Sequence, residues 1–180
     1  MSTETPHGVP VSEVTPLTDP ETLADRAVDF GRETNDLPAE VVKRVAALDD
    51  MAAVAVESDG KLLLRRLTET CSWKFPAATV GDGEDYVAAL REQVRAAVGP
   101  IELERVVTVR EVTVRSEGSD RTASRTFVTF TGRLNAGTEP AELPVPEDGA
   151  HEVGWFSELP NEADELPGTA VFFDGLTGRR

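Results

Sequence analysis

Residues 73–99 read WKFPAATVGDGEDYVAALREQVRAAVG, and this stretch carries the strongest structural signal of the chain. Apolar residues recur at spacings of three and four between Glu84 and Val98, which predicts an amphipathic helix. The Gly-Pro pair that follows ends the helix, because glycine suits the C-terminal cap and proline cannot continue a helix. The beginning, residues 73–76, is short and apolar and predicts an extended segment.

The sequence on both sides of this stretch predicts strands. Residues 51–57 form an apolar run, Ser58-Asp59-Gly60 is a hairpin turn, and residues 61–67 return as a second strand. Further strands are predicted at residues 106–115, 126–134 and 152–156. Because strands outnumber helices and one helix stands between strand pairs, we expect an α/β fold. Its form is a mixed sheet covered by helices in an α/β/α sandwich.

The first fifty residues are predicted to be an appendage to the main domain. Residues 1–20 contain four prolines among Ser, Thr and Glu, which is typical of a flexible arm. Thr18 or Asp19 could cap a helix that starts at Glu21, and Pro38 suits the first turn of a second helix. We therefore expect a flexible arm at 1–20, an N-terminal helical extension at 21–49, the main domain at 50–160 and a C-terminal segment at 161–180.

Charge is the most marked feature of the composition. The 180 residues include 18 Lys+Arg and 33 Asp+Glu, which gives a net charge of −15. Such a surface repels phosphate backbones and anionic lipids, so we expect neither nucleic-acid nor membrane binding. The basic residues are almost all arginine, and this pattern is typical of halophilic proteins that work in molar potassium chloride. The alternative is an acidic protein from a mesophile.

The sequence also predicts a cytoplasmic location. Cys71 is the single cysteine, so no internal disulfide can form, and a lone thiol suits a reducing compartment. The first twenty residues lack a basic and an apolar region, and no stretch approaches the roughly 20 apolar residues of a membrane span.

Residues 73–99 resemble the Nudix box and its approach. The family motif is Gly, five residues, Glu, seven residues, then Arg-Glu-hydrophobic-any-Glu-Glu-any-Gly-hydrophobic, and Trp-any-hydrophobic-Pro-Gly usually precedes it. Laid on the chain without a gap, the motif is matched at Trp73, Phe75, Pro76, Gly83, Glu84, Ala89, Val94 and Gly99. The resemblance extends over residues 50–160. It implies the Nudix-type sandwich, Mg²⁺ or Mn²⁺ as cofactor, and hydrolysis of nucleoside diphosphates linked to another moiety.

The motif is degenerate at the positions on which this chemistry depends. The family's two glycines before the box, its arginine and its three helix glutamates fall on Ala77, Ala78, Glu92, Gln93, Ala96 and Ala97. In the family the three glutamates share one helical face and gather the metal ions beside a pyrophosphate. Glutamine keeps one uncharged oxygen, and alanine offers no ligand atom. The resemblance therefore implies the family fold with weakened or lost catalysis.

If catalysis survives, its carboxylates have to come from other positions. Glu84 could ligate a metal or simply favour the helix dipole, and Glu92 could replace a lost ligand or be a solvated charge. Glu147, Asp148 and Glu152 lie where many family members carry a further functional glutamate, or they form a solvated acidic loop. For an active enzyme, the catalytic candidates are Glu84 and Glu152, and the metal candidates are Glu84, Glu92 and Glu147.

Basic and aromatic side chains could contact a ligand. The arginines that could bind phosphate, or else pair with surface acids, are Arg65, Arg66, Arg125 and Arg133. Trp73 and Trp155 could be core residues or could stack on a base.

The sequence thus predicts a Nudix-fold protein with a ligand-binding or regulatory role toward a small nucleotide-like ligand, and with no metal cofactor. The alternative is an active pyrophosphohydrolase with relocated carboxylates that uses Mg²⁺ or Mn²⁺.

Overall fold

Eight strands and two α-helices make up the part of the chain that the computed structural model describes, residues 8–58, 60–66, 74–98, 100–134 and 152–156. The strands are β1 (Val9–Pro10), β2 (Asp29–Leu37), β3 (Asp50–Ser58), β4 (Lys61–Arg66), β5 (Ala77–Val80), β6 (Ile101–Ser116), β7 (Thr122–Leu134) and β8 (Glu152–Phe156). The α-helices are α1 (Ala39–Ala46) and α2 (Tyr86–Val98), and short 3-10 helices span Val11–Glu13 and Pro20–Leu23. None of the described helices is long and apolar enough to cross a membrane.

The long strand β6 organises the sheet. Along one edge it pairs with β1 in antiparallel and with β2 in parallel orientation, and along the other edge with β7 in antiparallel orientation. Strand β7 then pairs in parallel with β3. Beyond β3 the sheet divides, because residues 50–53 pair with β5 whereas residues 57–58 pair with β4, which continues to β8. The sheet is mixed, as the sequence predicts.

The two helices lie on opposite faces of this sheet. Leu90 and Val94 of α2 are buried in the main core cluster with Phe130 of β7. Val42 of α1 is buried in a separate cluster with Ala123 of the same strand. Because side chains alternate between the faces of a strand, Ala123 and Phe130 point to opposite sides. The predicted α/β fold with helices on both faces of a mixed sheet is confirmed.

Most of the predicted elements of the main domain are present. The hairpin around Asp59-Gly60 is confirmed by β3 and β4, and Gly60 takes the positive φ of 76° that its turn requires. Helix α2 begins at Tyr86 rather than at Glu84. Strands β6 and β7 are longer than predicted, and the last strand is confirmed as β8. The predicted loop at 135–149 and the C-terminal segment at 161–180 lie outside the described residues.

The structure differs from the prediction over the first fifty residues. Asp19 does cap a helix by accepting from the Glu21 N–H at 3.1 Å, but that 3-10 helix ends at Leu23. Residues 29–37 form strand β2 instead of continuing a helix, because Gly31 disfavours a helix and the strand gains a full parallel ladder to β6. Only α1, after Pro38, belongs to the expected helical extension.

The flexible arm expected at residues 1–20 also differs from the structure where residues are described. Val11 and Leu17 are 4% and 2% exposed and belong to the main core cluster. The burial of these apolar side chains fixes residues 8–20 on the domain, whereas residues 1–7 lie outside the described part.

Candidate active site and ligand surface

The predicted motif lies where β5 leads through a short loop into α2. Ala77 and Ala78, at the positions of the family's two glycines, are strand residues that pair with Ala53 and Ala52 of β3. Ala78 is buried at 3% exposure in the main core. These alanines therefore extend the sheet and pack against it.

Gln93 of α2 binds the backbone of β5. Its Oε1 accepts a hydrogen bond from the Thr79 N–H at 3.2 Å, and its Nε2 donates to the Thr79 carbonyl oxygen at 2.8 Å. An amide can complete both bonds because it carries an acceptor and a donor side by side. The one side-chain oxygen at this motif position is therefore already engaged by the protein.

The remaining positions of this helix face offer no ligand atoms. Ala96 and Ala97 lie in the last turn of α2, and alanine has no polar side-chain atom. Residues spaced at i, i+3 and i+4 share one helical face, and of the residue types at 93, 96 and 97 only glutamine carries a side-chain oxygen, which is neutral. Mg²⁺ and Mn²⁺ are held by carboxylates and other oxygen ligands, and charged ligands dominate such sites. The residue types at positions 93, 96 and 97 of α2 do not fit a divalent metal.

The two described glutamates of the motif have different surroundings. Glu84 closes the loop before α2, since its Oε1 accepts from the Gly81 N–H at 2.7 Å and its own N–H donates to the Gly81 carbonyl oxygen at 3.1 Å. Glu92 is exposed on α2, and the rotation of about 100° per residue turns it away from position 93. Within the described ranges, no group of three or more His, Cys, Asp or Glu is placed to hold a metal ion.

The other acidic candidates are only partly covered by the structure. Glu147 and Asp148 lie outside the described residues. Glu152 is the first residue of β8, where its backbone is in register with Arg66 of β4.

Asp85 and Tyr86 make contacts that were not predicted from the sequence. Asp85 caps α2, because its Oδ1 accepts from the Val87 N–H at 3.0 Å. The same oxygen accepts from the Leu17 N–H at 2.8 Å, and the Tyr86 N–H donates to the Leu17 carbonyl oxygen at 2.8 Å. An aspartate just before an apolar helical pattern is a known cap signal. Nothing in the sequence pointed to Leu17 as its second partner.

The Tyr86 hydroxyl forms a link between α2 and the sheet. It donates to Oδ2 of Asp50 at 2.5 Å, and Oδ1 of Asp50 accepts from the Thr126 N–H at 3.0 Å. Burial, followed by the hydrogen bond to Asp50, raises the pKa of Tyr86 far above its usual value. The phenol is therefore a neutral donor throughout the physiological pH range.

A second set of predicted residues meets on β4 and β8. Arg65 is in register with Val153 of β8 on one side and forms an antiparallel bridge to Lys74 on the other, with N···O distances of 2.8 and 2.9 Å. Trp155 is in register with Leu63, two residues before Arg65. Because alternate residues share a face, Arg65 and Trp155 lie on the same side of this small sheet as diagonal neighbours.

Arg65 differs from the other predicted phosphate-binding arginines. Arg125 donates to the Ala46 carbonyl oxygen at the end of α1, and Arg133 pairs with Glu102, so these two have structural and surface partners. Arg65 is half-buried, and no acceptor or carboxylate among the described residues binds its guanidinium. Removal from water lowers the pKa of Arg65, yet an arginine remains charged at neutral pH. The side chain of Arg66 lies outside what is described.

Trp155 completes this surface. Its ring packs against the main core cluster, and its Nε1 is buried without an acceptor in the described part of the chain. A half-buried cation without a described partner, beside an indole, is the arrangement that an anionic ligand with an aromatic group would satisfy.

No family model matches this sequence, and no curated protein matches it. Solved structures do match. A MutT Nudix hydrolase from Burkholderia pseudomallei is 23% identical, with 72% of this chain and 98% of that chain covered and a TM-score of 0.47. A UDP-X diphosphatase is 17% identical, with 88% and 76% covered and a TM-score of 0.49. A MutT protein from Bacillus halodurans is 16% identical, with 72% and 83% covered and a TM-score of 0.48.

Proposed function

We propose that this chain is a Nudix-fold protein that binds a small, anionic, nucleotide-like ligand without hydrolysing it. The observation that carries the proposal is the Gln93 amide, which stands at a metal-ligand position of the motif and is bound to the Thr79 backbone. The role of the protein is therefore ligand binding or regulation rather than catalytic turnover.

Loss of hydrolysis follows from what metal-dependent cleavage of a pyrophosphate requires. The metal ions bridge phosphate oxygens, activate water and offset the developing negative charge. The α2 face offers no carboxylate for this task at Gln93, Ala96 or Ala97. Loss of one general base alone costs about 10²–10⁴ in rate, and here the metal platform is missing as well.

Arg65 supports the binding of an anion. A guanidinium that is half removed from water and lacks a described partner gains from a phosphate, whose oxygens match its fork of donors. The diagonal neighbour Trp155 offers an aromatic surface to a base. The net charge of −15 disfavours a polyanion such as a nucleic acid, so a small ligand is favoured.

The hydrolysis part is tested by a product-release assay over nucleoside triphosphates, ADP-ribose, NADH, dinucleoside polyphosphates and sugar nucleotides. The buffer contains about 1 M KCl, where the Debye length is roughly 3 Å, with Mg²⁺ or Mn²⁺, and circular dichroism confirms the fold. We expect no metal-dependent release. Metal-dependent turnover would contradict the proposal and favour relocated carboxylates. Glu84→Gln and Glu152→Gln would then show whether either residue contributes.

The binding part is tested by calorimetric titration with ADP, ADP-ribose and inorganic pyrophosphate in the same buffer. We expect Arg65→Gln to weaken binding about tenfold or more, because a charge-assisted hydrogen bond contributes about 1.5–3 kcal/mol. Arg121→Gln is the matched control, since Arg121 is an exposed arginine of the turn between β6 and β7. Equal losses in both variants, or no binding to any probe by the folded protein, would contradict the proposed ligand site.

A further inference from the structure

We infer that the Gln93 side chain takes the place of a neighbouring strand at Thr79 of β5, and that this contact makes the helix face incompatible with the glutamate that a metal site would need at position 93. Gln93 has this role whether or not the protein binds a ligand. This role rests on the contacts between α2 and β5.

Among the described strands, β5 pairs with β3 alone, and its other edge faces α2. It pairs with β3, with Thr79 opposite Met51. In an antiparallel pair, the N–H and C=O of a residue point either both toward the partner strand or both away from it. Both groups of Thr79 bond to the Gln93 side chain, so they point away from β3. Unpaired groups on such an edge invite pairing with another chain.

The amide of Gln93 reproduces the pattern of a neighbouring backbone. It returns both an acceptor and a donor to the same residue, at 3.2 and 2.8 Å, as a paired strand residue would. Below this contact, Val94 of α2 and Val80 of β5 are buried in the same core cluster. Apolar packing and the amide bonds together fix α2 against β5.

A carboxylate of the same shape cannot do this. It would keep the bond from the Thr79 N–H, but its second oxygen would face the Thr79 carbonyl oxygen, and two acceptors repel. When protonated, the introduced carboxyl group would again supply a donor. Gln93→Glu therefore changes hydrogen-bond chemistry without changing side-chain volume, and its effect has to depend on pH.

The test compares the unfolding free energy of Gln93→Glu and wild type between pH 4.5 and pH 8 in concentrated KCl. The introduced carboxyl has a raised pKa in the folded state, because ionisation there costs the second bond. Its contribution to stability is present below the unfolded value of about 4.3 and is lost as the pH rises through the folded value. We expect the variant to be less stable than wild type at pH 8 and to approach it at pH 4.5.

Glu92→Gln is the matched control, because it changes charge by one unit in the opposite sense at an exposed position next to Gln93. A second readout is amide hydrogen exchange of Thr79, which we expect to be about tenfold faster in Gln93→Ala than in wild type. A Gln93→Glu variant as stable as wild type at every pH would overturn the inference. Unchanged Thr79 exchange in Gln93→Ala would overturn it equally. Neither result depends on whether the protein turns over a substrate.

Discussion

At the scale of single residues, the hydrogen bond of the Tyr86 hydroxyl to Asp50 joins α2 to strands β3 and β7. We expect Tyr86→Phe to lower the free energy of unfolding by about 1–3 kcal/mol, because an oxygen of Asp50 loses its donor in a part-buried site. Denaturant unfolding in concentrated KCl measures the change. The control is Thr113→Ala, which removes an exposed hydroxyl pair with Ser124 and should change stability by less than about 0.5 kcal/mol. An equal effect of the two substitutions would refute the role of the buried link.

The ion pair between Asp36 and Arg115 offers a pH-dependent measurement. The hydrogen bond from Arg115, at 2.7 Å, and then its charge hold the pKa of Asp36 below the usual value. Such a group adds stability above its unfolded pKa, and this stability is lost as the pH falls through the lower, folded value. Because the pair is exposed, molar KCl should move the pKa part of the way back. Carboxyl chemical shifts of Asp36 at low and high salt measure this, and Arg115→Gln should restore the usual pKa in both.

The residue types at positions 93, 96 and 97 could be read from the sequence at this scale, whereas their contacts could not. The spacing alone places residues 93, 96 and 97 on one face, so the absence of carboxylates there is readable from the sequence. The partner of Gln93 lies 14 residues away in β5. That contact depends on how α2 packs over the sheet, and a single sequence does not contain this information.

At the scale of elements, Asp85 fastens the start of α2 to the N-terminal segment. We expect Asp85→Ala to cost about 1–2 kcal/mol, since the Val87 N–H loses its cap and the Leu17 N–H loses its acceptor. Asp85→Asn keeps an acceptor oxygen and should cost less. Unfolding free energies, with amide exchange at Leu17, measure both effects. Unchanged exchange at Leu17 in Asp85→Ala would show that the N-terminal segment is held by its apolar side chains alone.

Elements differed in how far they could be predicted, for a physical reason. Helix α2 and the hairpin of β3 and β4 contain their own signals, an apolar period and a turn with glycine. Strand β2 contains none, because most of its side chains are exposed and do not alternate between apolar and polar. Strand β2 is stabilised by its ladder to β6, which lies far away in the sequence. The helix predicted from the local apolar spacing before β2 was therefore wrong.

At the scale of the whole molecule, the net charge of −15 governs the response to salt. Self-repulsion of the acidic surface opposes folding at low ionic strength, and added salt screens it as the Debye length falls from about 10 Å at 0.1 M to about 3 Å at 1 M. The exposed ion pairs weaken at the same time, but each contributes little. We expect the melting temperature to rise with KCl. Thermal melting followed by circular dichroism measures this, with sucrose of equal osmolality as control. A melting temperature that falls with KCl would contradict the prediction that the protein is halophilic.

The position of β6 also governs the order in which the chain can fold. Strand β2 can pair only after β6 has been synthesised, and β3 can pair with β7 only after β7 has been synthesised. Bonded residues such as Asp36 and Arg115 are 79 positions apart in the sequence. During synthesis the two early strands emerge long before their partners, and β3 is apolar along most of its length. Such late, non-local pairing slows folding and leaves an apolar, aggregation-prone strand exposed in the nascent chain. A ribosome-bound chain that stops before Leu134 would therefore need a chaperone more than the finished protein does.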